Sequence, residues 1–142
     1  MTYKFISQTP VGLAWFRPSH SGNPSSGDYF TLSAGSTNDL GITGSGTDTL
    51  TFPPGSYHIR ATLGGDKSAV SDYIDFQWEI DGSLDGSAGG WDTSTSRKMT
   101  CEYAELVFQA GSSADVKLKC IGDSGTVTIT ANVSGMIVRG AQ

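Results

Sequence analysis

At 142 residues the chain has room for one domain with its own core. Its 19 glycines and its charged fraction of only 16% suit short strands joined by turns and count against long helices. A net charge of −5 speaks against nucleic acid or an anionic membrane surface as partner, and no apolar run reaches the length of a membrane-spanning helix.

In chain order, Tyr3 to Ser7 reads as a short strand and Leu13 to Arg17 as a second, stopped by Pro18. The run from Ser19 to Asp28 has the composition of a loop. Tyr29 to Leu32 reads as a third strand, Gly35 to Asp39 as a turn and Leu40 to Thr43 as a weak strand. Thr49 to Phe52 is a strand ended by Pro53-Pro54-Gly55, which cannot continue a ladder.

The pattern strengthens from there. Between Ser56 and Leu63, Tyr57, Ile59, Ala61 and Leu63 share one face, the period of a half-buried strand. Tyr73 to Asp81 puts Ile74, Phe76, Trp78 and Ile80 on one face and Asp75, Gln77 and Glu79 on the other. Gly82 to Ser96 reads as a Gly/Ser-rich loop. Met99 to Gln109 follows as a strand, with Ala104, Leu106 and Phe108 inward. Val116 to Ile121 alternates, Gly122 to Gly125 has hairpin-turn length, Thr126 to Thr130 is strand-like and Val133 to Arg139 closes the domain.

This is an all-β chain: an antiparallel jelly-roll β-sandwich of about eight to ten strands, in one domain spanning 1–142. The stretch 48–142 carries the clearer strand pattern, and 1–47 holds N-terminal strands and loops. The first residues have no sustained apolar segment, being interrupted by Gln8, Thr9, Pro10 and Gly12, so no secretion signal is read and synthesis in a cytoplasm is expected.

Chemical motifs are sparse. His20 sits in a polar loop and His58 on the outward side of a strand, without metal-ligand spacing between them. No nucleophile elbow is present and no residue stands out as a nucleophile, so the chain is expected not to be an enzyme. Cys101 and Cys120 lie in strand-like runs and are expected to be buried thiols; a cross-strand disulfide is left open. Asn132-Val133-Ser134 is a formal glycosylation sequon, expected to be without consequence because no secretion signal is read.

The most specific spacing runs from Asp81 through Ser83 and Asp85 to Gly86, with Asp92 further on. Oxygen ligands at alternate positions of a tight turn, a glycine and a later carboxylate match a calcium loop. Serine at the third position, the short Asp92 and strand flanks depart from it, and an ordinary polar loop without any cofactor is the other reading. Trp91, in the glycine-rich Gly89-Gly90-Trp91-Asp92, could stack on a sugar, bury at a contact or fold back on the core. Tyr3, Phe5, Trp15 and Phe16 are more aromatics than one edge strand needs, and make the first segment a candidate for attachment.

Leu50 to Ala61, the long strand Ile74 to Ile80 and the closing run Ser134 to Arg139 together resemble the C1q/TNF-like jelly-roll domains, including those on bacteriophage virions. The resemblance implies a homotrimer around an axis lined by aromatic and aliphatic side chains. It implies a recognition knob, or a decoration (cement) protein or fibre head of a phage particle. With no collagen-like stalk or coiled-coil shaft in the sequence, a capsid decoration protein on the virion surface is expected, contacting the major capsid protein or another virion protein. The alternative is a tail-fibre or spike tip that binds a receptor or host surface glycan.

Overall fold

A computed structural model describes residues 12–90 and 103–140. Among them are eleven strands and one 3-10 turn at Ala131–Val133. The strands are β1 (Leu13–Ser19), β2 (Thr31–Asn38), β3 (Leu50–Phe52), β4 (Gly55–Thr62), β5 (Gly65–Lys67) and β6 (Tyr73–Ile80). They continue as β7 (Ser83–Gly90), β8 (Ala104–Ala110), β9 (Ala114–Ser124), β10 (Val127–Ile129) and β11 (Gly135–Gly140).

Nine of them follow the order β2-β1-β11-β4-β8-β7-β6-β9-β3, and β10 pairs with β5 apart. All pairings are antiparallel. The two faces of the sandwich are β2-β1-β11-β4-β8 and β7-β6-β9-β3. They meet at β7 and β8 through one residue pair, Ser87 with Glu105. This is the antiparallel jelly roll that the sequence led us to expect.

The inward residues of both faces make one core. Tyr57, Ile59, Ala61, Ile74, Phe76, Trp78, Val116, Leu118, Met136 and Val138 are all buried there. Their alternation along β4, β6, β9 and β11 explains why these segments are strands: only period two puts every apolar side chain on one side of the pleat. The rings interlock edge to face, with Phe52 against Tyr57 at 5.0 Å between centroids. The Tyr57 hydroxyl satisfies itself by donating to the Pro53 carbonyl, 2.7 Å away.

Several segments differ from the sequence reading, each for a physical reason. Pro18 does not end β1, which runs to Ser19. The pairing of β1 with β11 stops at Phe16, so Pro18 sits where only β2 lies alongside and one missing N–H is tolerated. Gly35 to Asn38 is strand, not turn. Gly122 to Gly125 joins no hairpin: β9 extends to Ser124 and β10 leaves it to pair with β5.

The largest difference is Ser83–Gly90, a strand where the Gly/Ser-rich composition predicts a loop. Asp81 (φ 48°) and Gly82 (φ 86°) form the two-residue turn between Ile80 and Ser83, the left-handed pair that an Asp-Gly hairpin uses. The turn and β6 then impose the strand on a sequence with almost no apolar residues. Gly89 belongs in it because a β-carbon there would lie 2.5 Å from the Phe76 ring. The expected strand Tyr3 to Ser7 lies outside the described residues.

Candidate functional site

Four adjacent strands, β1, β11, β4 and β8, turn their outward residues to one surface. The register lines these up in two rows. Leu13 faces Arg139, Arg139 faces His58, and His58 faces Val107. One pleat further, Trp15 faces Ile137, Ile137 faces Arg60, and Arg60 faces Glu105. Each lies between inward neighbours such as Ala14, Phe16, Ile59, Leu106 and Val138, which fill the core.

Among the described residues this surface is unusually apolar for an exposed one. Of the eight large hydrophobic side chains exposed among the described residues, Leu13, Trp15, Tyr103, Val107 and Ile137 share it. Val107 is 68% exposed and Trp15 44%. The indole of Trp15 lies down on β2, where a β-carbon on Gly35 would come within 2.9 Å of it. Gly35 is therefore a seat for the ring.

Polar and charged groups fill the middle. His58 Nε2 is 2.6 Å from Glu105 Oε1, and Arg60 Nε is 3.8 Å from Glu105 Oε2. The Arg60 guanidinium also stacks 3.7 Å above the Tyr103 ring. A shallow hollow between β4 and β11 is lined by His58, Arg60, Ile137 and Arg139. Arg139 makes no ion pair with any described residue.

The other sheet's outer surface is closed on itself. Tyr29 donates its hydroxyl proton to Glu79, at 3.0 and 3.1 Å from the two carboxylate oxygens. Lys119 Nζ donates to the same carboxylate over 3.3 Å, and Lys117 lies over the Tyr29 ring. The hydrogen bond to Glu79 holds the Lys119 ammonium protonated above its ordinary range. Glu79, expected outside, is buried under these partners.

The residues singled out from sequence divide accordingly. Trp15 lies on the apolar surface. Phe16 does not: it is fully buried in the core, the next residue along an alternating strand, and so cannot be an attachment contact. Tyr3, Phe5 and Trp91 lie outside the described residues.

The calcium spacing meets a hairpin. Asp81 is in the turn and Ser83 and Asp85 belong to β7. Asp81 Oδ1 accepts the Asp115 N–H at 2.8 Å, and Asp85 Oδ1 accepts the Gly86 N–H at 2.8 Å. The expected loop is thus corrected to a hairpin with a two-residue turn, in which both of these carboxylates serve the backbone; Asp92 lies outside the described residues. Cys120 is a free, buried thiol, pushed up to about 11 by burial. Cys101 lies outside the described residues.

The apolar surface is spread over four strands, whereas the aromatic excess that the sequence offers lies near the chain start. The signal was there in the outward positions of the best strands: Val107 and Ile137 are apolar where polar residues belong.

No protein-family model matches the chain, and no curated protein matches it. Solved structures do. A crystal structure of murine APRIL at pH 8.5 superposes with a TM-score of 0.63 over 91% of this chain and 98% of that one, at 9% identity. Murine APRIL at pH 8.0 gives 0.60 over 92% of this chain and 100% of that one, also at 9% identity. Eiger TNF from S. frugiperda gives 0.58 over 94% of each chain at 15% identity. The fold is a TNF-like jelly roll.

Proposed function

We propose that the protein is a homotrimeric jelly-roll module that works by contact, not catalysis, and that the outer surface of β1, β11, β4 and β8 is where its copies meet. One observation carries this reading: five exposed large hydrophobics gathered on a single sheet face. A monomer would keep that area in water, and covering it is favourable by about 25 cal/mol for each square ångström removed. The TNF-like fold supports the count of three.

Within that reading, the module is a decoration protein on a bacteriophage head, binding the major capsid protein. This part rests on the sequence resemblance, and the acidic character of the chain suits a surface laid on a complementary basic partner. The non-catalytic part rests on the lack of a nucleophile elbow in the sequence.

Native mass spectrometry at micromolar concentration should give the mass of three chains; a monomer would overturn the trimer. Purified protein added to phage heads lacking a decoration layer should bind at their threefold or quasi-threefold positions and raise their resistance to heat. Heads that fail to bind a trimeric protein would remove the capsid assignment and leave the self-association standing.

A further inference from the structure

The hollow between β4 and β11 is the odd part of the apolar surface. Its neighbours are hydrophobic, yet two arginines and a histidine line it. Glu105 answers two of these three groups, with one oxygen toward His58 and the other toward Arg60. Arg139 is left with no ion pair among the described residues. It stands between Leu13 and His58 in its row, beside Ile137 on its own strand. The register thus places an unanswered guanidinium among the residues that self-association would cover.

A guanidinium taken out of water without an anion costs several kcal/mol, so a stable contact over this surface has to bring one. The chain itself is the apt source: it carries 14 acidic residues against 9 Lys and Arg, and a net charge of −5. Arginine is also the side chain that takes a carboxylate through two parallel N–H bonds, which fixes direction as well as strength.

We infer that the hollow lined by His58, Arg60, Ile137 and Arg139 seats an Asp or Glu carboxylate from a neighbouring copy of this chain, with Arg139 as its principal partner. The inference rests on the trimer proposed above. It makes the contact directional: the basic hollow of one copy receives an acidic side chain of the next, which suits a closed ring of three.

The test uses Arg139→Lys and Arg139→Gln in the full chain. Half of the R139K protein is labelled with 15N, mixed and allowed to exchange subunits, then treated with a carbodiimide, which joins an amine to a carboxylate in direct contact. Peptides linking position 139 of one isotope to an Asp or Glu of the other are expected. R139Q should raise the concentration at which the assembly dissociates at least about tenfold, with an unchanged circular dichroism spectrum. A trimer that shows neither the mixed-isotope link nor the R139Q effect would overturn the seat alone, whereas a monomeric wild-type protein would overturn the trimer with it. If inorganic phosphate raises the melting temperature of wild type but not of R139Q while no link forms, the hollow takes a small free anion and the inference is wrong.

Discussion

Trp78 Nε1 donates to the backbone oxygen of Ala104 over 3.0 Å, inside the core. Trp78 belongs to β6 and Ala104 to β8, so this one bond ties the two faces of the sandwich beside the point where their strands pair only once. Replacing Trp78 by Phe keeps much of the ring and deletes the donor. The Ala104 oxygen loses a buried partner and a small void opens. Urea unfolding should show a loss of about 2–4 kcal/mol. A change within experimental error would mean that the bond contributes nothing net.

The apolar surface gives a sharper test of association. Ile137→Glu puts a carboxylate at the centre of the face, beside Trp15 and Arg60. The protein should then run as a single chain in native mass spectrometry and keep its β spectrum, since Ile137 is an exposed side chain. Leu84→Glu is the control: Leu84 is equally exposed but lies on β7, off this face, and its substitution should leave the assembly intact. Equal effects of both substitutions would mean that the surface has no special role.

Acid stability should depend on Asp72. Its carboxylate accepts from the Ser68 hydroxyl and from the Ala69 and Thr126 N–H groups. The Ser68 bond leads in holding its pKa below the ordinary aspartate value. A group that ionises more readily folded than unfolded favours the folded state above the ordinary range, and that advantage fades as pH falls through the lowered value. Asp72→Asn should flatten the acid limb of a stability-against-pH curve. Gly125, at φ 74°, lies against the same carboxylate, which a β-carbon would strike. Gly125→Ala should therefore cost about 1–3 kcal/mol at neutral pH. The opposite limb belongs to Lys119: its raised pKa stabilises the fold below the ordinary lysine value and is lost as pH rises through the raised one.

Cys120 should be silent. A buried thiol with its pKa pushed up to about 11 exposes almost no thiolate near neutrality. Iodoacetamide should label it only after unfolding, as peptide mass mapping would show. Rapid labelling of the folded protein would mean that β9 opens readily.

The core was readable because β4, β6, β9 and β11 each commit one full face to apolar residues. Tyr57 to Leu63 and Ile74 to Trp78 could be assigned inward by alternation alone. What escaped was set by neighbours. Ser83 to Gly90 is a strand because β6 and an Asp-Gly turn hold it, not because its residues favour one. Phe16 looked like a spare aromatic until the partners of β1 fixed which of Trp15 and Phe16 faces inward. Glu79 is buried because Tyr29, distant in sequence, reaches it. The apolar surface is a product of register across four strands, and no single segment contains it.

Gly89 and Phe76 carry a consequence for how this fold can change. A β-carbon on Gly89 would lie 2.5 Å from the Phe76 ring and 2.7 Å from the Ala104 backbone nitrogen, so the ring takes part of that space and the neighbouring strand β8 the rest. Enlarging residue 89 alone should fail, while pairing it with a smaller residue at 76 should recover part of the loss, a positive coupling in a double-mutant cycle. Even with the ring gone, the β8 backbone stands against position 89, so this glycine also marks how closely the two faces of the sandwich approach where they join.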